Sequence, residues 1–203
     1  MAAVNFRAFV VCANTSTTVQ ATKFDIKAGE AKEQRVDCPG NQRAVGGGGI
    51  QSGDPGKGFV EQSGPTDGSG TFRKTKDGDA PLVWKTQFRS QGGSKYFKAF
   101  AVCSRSSKAR LEVTAGETSE SSPGFDTGVL CPDGDPAIGG GMLHDRHAAN
   151  LIVATPSGPL DSSGSSANTE AGDTPAYWYA GVDSRFFAGK VRAKVLAVCE
   201  PGV

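Results

Sequence analysis

Both histidines of the chain fall in one short stretch, His144-Asp145-Arg146-His147, so any imidazole chemistry is confined to it. A zinc-binding helix spaces its histidines as His-x-x-x-His and completes the shell with a more distant ligand. Here the spacing is His-x-x-His in a loop or strand edge, with no further histidine, and an exposed, unliganded pair is the expected reading. Closely spaced carboxylates in Asp77-Gly78-Asp79 and Cys131-Pro132-Asp133-Gly134-Asp135 suit a hard cation. Neither runs on into a full ligand series, and Asp-Gly is a turn signal, so turns are expected. The triplets Gly46-Gly47-Gly48 and Gly139-Gly140-Gly141 lack the Gly-Lys-Ser or Gly-Lys-Thr ending of a phosphate cradle. No Gly-x-Ser-x-Gly element precedes a helical pattern, and Cys12 has no evident activating base. The residues point to a protein that is not an enzyme, with no metal or cofactor.

The aromatic residues are the better candidates for contact with a ligand. Trp84 and Trp178 stand with Tyr96, Tyr177 and Tyr179 as large apolar surfaces, the tyrosines with a polar handle. Such rings stack on sugars or anchor an interface. A tryptophan present in both halves of a repeated chain is expected in the core. Tyr177 and Tyr179 flank Trp178 and therefore lie on the opposite strand face, toward the surface.

These residues sit on a chain written nearly twice. Phe6-Arg7-Ala8-Phe9-Val10-Val11-Cys12 returns as Phe97-Lys98-Ala99-Phe100-Ala101-Val102-Cys103, and Cys38-Pro39 with its glycine triplet returns as Cys131-Pro132 with the second triplet. Ser63-Gly64-Pro65 with Asp67 returns as Ser157-Gly158-Pro159 with Asp161. Pro81 and Trp84 return as Pro175 and Trp178. Matches in one order with little drift mean an internal duplication. A third occurrence of the Cys-ending strand closes the chain, Ala193 to Cys199, and in each the cysteine shares a face with the alternate apolar residues.

Composition agrees with short strands and many turns. There are 28 glycines and 11 prolines, more than helices tolerate. Ala28-Gly29-Glu30 and Ala115-Gly116-Glu117 are expected to turn at glycine, and the glycine triplets to mark a bulge or a close approach of backbones. The expected fold is all-β, an internally duplicated pseudo-twofold β-prism or β-sandwich of short antiparallel strands. Its modules cover residues 1–103 and 97–203 and share the strand 97–103. Lys and Arg total 22 against 21 Asp and Glu, a formal net charge of +1, so no field gathers nucleic acid. No run approaches the roughly 18 apolar residues of a membrane span. Five cysteines at repeated places without a Cys-x-x-Cys pair favour disulfides and an oxidising compartment, hence a secreted or cell-surface location.

The order Ala-Gly-Glu, Cys-Pro-x-Gly, Ala-Ile-Gly-Gly-Gly, a proline loop, a tryptophan strand and a closing Ala-Val-Cys resembles a module of uncharacterised exported bacterial proteins. The resemblance covers residues 28–103 and 115–199. It implies a β-module with one disulfide per copy, Cys38 to Cys103 and Cys131 to Cys199, leaving Cys12 over. Spacing alone leaves open the rival pairing of Cys12 with Cys38 and Cys103 with Cys131, because both sets close loops worth roughly 4 kcal/mol. Cys-Pro with a glycine turn and a late Cys-ending strand is also similar, more faintly, to the vitelline membrane outer layer protein and its β-prism, although the glycine triplet departs from that family.

The functional expectation is a secreted or surface-associated binding module with carbohydrate as a candidate ligand, in the manner of a lectin. Its contacts would come from Tyr177, Tyr179, Tyr96, Asp67 and Asp161 and from the loops at 51–79 and 144–173. The partner would be a glycan or a protein surface. The alternative is a structural or assembly subunit, such as a coat, tail or toxin-associated component, acting as a homo-oligomer through exposed β edges.

Overall fold

The computed structural model describes residues 10–12, 16–51, 58–92, 95–119, 122, 124–145, 153–154, 157–165, 168–183 and 190–202. The first half holds β1 (Thr17–Ile26), β2 (Ala31–Asp37), β3 (Arg43–Gln51), β4 (Gly58–Thr66), β5 (Val83–Ser90) and β6 (Lys95–Ser104). The second holds β7 (Arg110–Thr118), β8 (Gly124–Leu130), β9 (Ala137–His144), β10 (Val153–Ala154), β11 (Gly158–Leu160), β12 (Tyr177–Asp183) and β13 (Val191–Cys199). The fold is all-β. Among the described residues the only helical turn is a short 3-10 turn at Pro132–Gly134.

Among the described residues every strand pair is antiparallel, and the pairing repeats. In the first half β6 lies between β1 and β3, and β5 between β2 and β4. In the second half β13 lies between β7 and β9, and β12 has β8 on one edge and β10 and β11 on the other. The irregularities repeat as well. Val45 is the extra residue between Ala44, which faces Cys103, and Gly46, which faces Val102. Ile138 is the extra residue between Ala137, which faces Cys199, and Gly139, which faces Val198. The glycine triplets therefore carry the expected bulge.

They also carry the expected close approach. A Cβ on Gly47 would stand 2.4 Å from the Trp84 ring, and one on Gly140 would stand 2.3 Å from the Trp178 ring. Each indole packs against a strand of the facing sheet where only glycine leaves room. Its Nε1 donates to a serine on the neighbouring strand or loop, Trp84 to Ser63 Oγ and Trp178 to Ser157 Oγ, both at 2.9 Å. Trp84 is buried at 3% exposure and belongs to the first core cluster, while Trp178 is half-buried against the second. Trp84 thus has the core role expected of both, and Trp178 packs against its core while remaining half-buried. Phe24, Phe88 and Phe97 pack together in the first core, with ring centroids 5.0 to 6.1 Å apart.

The disulfides are Cys38–Cys103 and Cys131–Cys199, the pairing that the resemblance implies, and Cys12 is free and exposed. Each links the Cys-Pro turn to the end of the middle strand of the facing sheet.

Two expectations need correction, and a third falls largely outside the described residues. Strand 97–103 is not shared between the halves: as part of β6 it pairs on both edges within the first half, with β1 and β3. The halves meet instead where β4 pairs with β9, Ser63 facing Met142, which joins β2-β5-β4 and β9-β13-β7 into one six-stranded sheet. The first occurrence of the recurrent strand lies outside the described residues at 6–9, and Val10, Val11 and Cys12 belong to no sheet. Finally, Gly29 turns with φ +81°, but Gly116 is extended inside β7. Its missing side chain makes room for Phe125, whose ring would be 2.0 Å from a Cβ there.

Candidate functional site

Period-two alternation decides which residues of β12 face outward. Trp178 points in, onto Gly140, so Tyr177 and Tyr179 point out from the sheet β8-β12-β11. Their cross-strand neighbours share that face: Leu130 and Leu160 flank Tyr177, and Gly128 and Gly158 flank Tyr179. Glycine on both sides leaves the Tyr179 ring without bulky neighbours. Leu130 is 52% exposed, a large apolar side chain beside a half-buried tyrosine. The Tyr177 ring lies over Gly128 and touches the turn at Gly164, with a Cβ on those glycines 3.5 and 3.8 Å from it.

The hydroxyl of Tyr179 donates to Asp126 Oδ2 at 2.5 Å, across from β12 to β8. That hydrogen bond first, then burial and the nearby negative charge, push the phenol up to about 12. Tyr179 is therefore a neutral donor already oriented by a carboxylate that retains lone pairs for a ligand hydroxyl. The result is an aromatic strip, Leu130 to Tyr177 to Tyr179, ending at a carboxylate.

Asp161 supports this strip without presenting its carboxylate to it. Asp161 Oδ1 accepts from Ser163 N–H at 3.0 Å and Ser163 Oγ at 2.5 Å, which closes the turn that brings Gly164 against Tyr177. Asp67 does the same in the first half, accepting from Ser69 N–H at 3.2 Å and Ser69 Oγ at 2.5 Å. Both aspartates were expected as ligand contacts, and both are instead consumed by turns, because a short carboxylate reaches its own backbone two residues on. Tyr96 is 42% exposed but lies on β6 in the other half, under Lys23 Nζ at 3.8 Å from its ring centroid. The structure brings Tyr177, Tyr179 and the Asp161 turn together and leaves Tyr96 and Asp67 elsewhere.

The loops differ from expectation too. Residues 67–79 serve the seam between the halves, with Gly78 N–H donating to Leu111 O and Leu111 N–H to Asp79 O, both at 2.9 Å. Asp77 and Asp79 are likewise engaged, accepting from Val113 N–H at 2.7 Å and Lys76 N–H at 2.9 Å. Asp135 takes Arg110 at 3.3 Å. His144 is buried at 3% exposure on β9, correcting the expected exposed pair, and its backbone N–H donates to Gln62 Oε1 at 2.9 Å. Its partner in that reading, His147, lies outside the described residues. An open cleft of about 700 Å³ lies between Val10–Cys12 and the segment Thr169–Asp173.

Leu130, Asp126 and Gly128 carry only half a signal in the sequence: Val129 and Cys131 point inward, so alternation turns Leu130, Gly128 and Asp126 outward, and the register of β8 on β12 then sets them beside the tyrosines. No protein-family model, curated protein or solved structure matches the chain.

Proposed function

We propose that the protein is a non-enzymatic binding module of the cell exterior whose outward strip Leu130-Tyr177-Tyr179 takes a carbohydrate, lectin-like, or the equivalent apolar-polar edge of a protein surface. One contrast carries the reading. In the first half the places of Tyr177, Tyr179 and Leu130 are held by Val83, Lys85 and Asp37. That face is closed by charge pairing: Lys85 Nζ to Glu33 at 2.7 Å, Arg89 to Glu61 at 2.5 Å, and Arg35 to Asp37. The fold is thus built without tyrosines at these positions, and the second half carries an aromatic strip that its own framework does not require.

The chemistry of the strip fits a sugar. A pyranose offers an apolar C–H face to the Tyr177 ring and hydroxyls to the Tyr179 and Asp126 oxygens. The two disulfides fit an extracellular protein, and no helix among the described residues is long and apolar enough to cross a membrane. The test is retention on a glycan array by the unaltered chain and by a Tyr177→Ala/Tyr179→Ala variant. Retention by the first and loss by the second is expected. Equal retention by both would remove the strip from the binding site.

A further inference from the structure

The seam between the halves covers one face of the sheet β9-β13-β7. Leu111, Leu143 and Leu196 on that face are fully buried and share a core cluster with Trp84 and Phe88 of the first half. Two backbone hydrogen bonds tie Leu111 to Gly78 and Asp79, and Asp77 takes Val113 N–H. Lys194 Nζ donates to Phe72 O at 2.8 Å and Thr75 O at 2.6 Å.

The sheet β1-β6-β3 repeats this face. Val19 faces Val102 as Leu111 faces Val198, and Ile50 faces Lys98 as Leu143 faces Lys194. Yet Val19 is 64% exposed and Ile50 59%, where Leu111 and Leu143 are 0%. Lys98 is exposed where Lys194 is gripped. Because strand pairs alternate, Val19 turns its N–H and C=O away from β6 just as Leu111 turns its own away from β13. Among the described residues β1 and β3 pair as strands only with β6; on β3 Pro81 O holds the Ala44 N–H and Thr86 Oγ1 reaches Gly48 O, and no strand lies along the outer edge of either.

The covering surface is repeated at the other end of the molecule. Gly172-Asp173 follows the turn at Ser165–Thr169 as Gly78-Asp79 follows the turn at Thr71–Thr75, with Thr169 Oγ1 on Ser165 O and Thr75 Oγ1 on Thr71 O, both at 2.9 Å. Asp173 Oδ2 accepts from Glu170 N–H as Asp79 Oδ2 does from Lys76 N–H. Among the described residues β11 pairs only with β12, whereas its counterpart β4 also pairs with β9.

We infer that a second copy of this chain covers the face of β1-β6-β3, laying its β11 along β3 and its 171–173 turn along β1 at Val19. The contact continues, between molecules, the seam already built within one. It joins unlike surfaces, so the assembly runs head to tail and either closes as a ring or extends as a filament. This goes beyond the glycan reading and does not depend on it: the tyrosine strip lies on the outer face of β12, and the contact uses β1, β3 and the far edge of β11. Within one chain the two surfaces do not meet, since Val19 stays exposed and the 171–173 turn faces Val10–Cys12 across an open cleft.

The experiment is sedimentation velocity of the full chain over a concentration series. Mass rising with concentration is expected. Val19→Asp/Ile50→Asp should be monomeric, and so should Ala171→Trp at the exposed turn. An equimolar mixture of these two variants should recover a dimer, because each keeps one unaltered surface. Ala171 holds the place of Asp77, so Ala171→Asp should add the missing bond to the Ala21 N–H and tighten association about tenfold. Near-ultraviolet circular dichroism checks that each variant keeps its tryptophan packing. A monomer at every concentration would overturn the inference. So would association that survives Val19→Asp/Ile50→Asp, a mixture that stays monomeric, or Ala171→Asp that fails to tighten.

Discussion

The two halves of the chain share a set of hydrogen bonds at matching places and present different faces to the outside. Ala44 N–H donates to Pro81 O and Ala137 N–H to Pro175 O, both at 2.7 Å; Cys38 N–H donates to Leu82 O at 3.0 Å and Cys131 N–H to Ala176 O at 2.9 Å. Around this common frame the first half closes its outer sheet with Lys85, Arg89 and Glu61, and the second leaves tyrosines and Leu130. What recurs is what holds the fold, and what differs is released from that duty. The comparison separates the residues that hold the frame from those that the frame leaves free.

If the frame is common, breaking it should cost the same in either half. The largest effect is expected from the disulfides, which span 65 and 68 residues. Replacing Cys38/Cys103 or Cys131/Cys199 by serine should each cost about 4 kcal/mol of stability, mainly because the unfolded chain regains its freedom. Urea denaturation measures both, and a large inequality would mean that one half is held by contacts the other lacks.

Gly47→Val and Gly140→Val should follow, at about 3 kcal/mol each, since the new side chain must displace an indole and backbone together. Gly48→Ala is the contrast. Its Cβ would meet only the end of the half-buried Phe100 ring at 3.2 Å, and the cost should stay below about 1 kcal/mol. Denaturation midpoints in the order Gly48→Ala, then Gly47→Val, at unchanged slope, would bear this out. The reverse order would show that the tryptophan does not need the glycine beneath it.

A smaller effect sharpens the comparison. Ser63→Ala and Ser157→Ala each remove the acceptor of an indole N–H, but Trp84 is buried and Trp178 only half-buried. Water can replace Ser157 more readily than Ser63. The expected costs are about 1.5 kcal/mol for Ser63→Ala and about 0.5 kcal/mol for Ser157→Ala.

Much of this frame could be read from residue order alone. Alternation in Phe97–Cys103 placed the cysteine on the buried face, and the glycine triplets announced both the bulge and the close approach, because these depend on local sterics. The seam could not be read. It depends on which strand edge meets which, Ser63 against Met142, and both edges look alike in sequence. The burial of His144 has the same origin: nothing local to it says that β4 will run beside β9. The candidate strip was half legible. The tyrosines follow from their position beside a tryptophan, but Asp126 joins them only through the register of β8 on β12.

That register makes a last, small effect measurable. In the folded chain Asp126 raises Tyr179 from an ordinary value of 10.0 to about 12, first through its hydrogen bond. An acid whose folded pKa is raised adds stability that is fully present below the unfolded value and is lost as pH climbs through the folded one. The Tyr179 contribution should therefore hold up to about pH 10 and fade between 10 and 12. Asp126→Asn keeps an acceptor but removes the charge, and the phenol should then ionise closer to 10, seen as an earlier rise in tyrosinate absorbance near 295 nm. Lys85 occupies the same place in the first half, paired with Glu33, so Glu33→Gln should leave that absorbance curve unmoved. A shift from Glu33→Gln and none from Asp126→Asn would mean that the tyrosine is held by something other than its neighbour on β8.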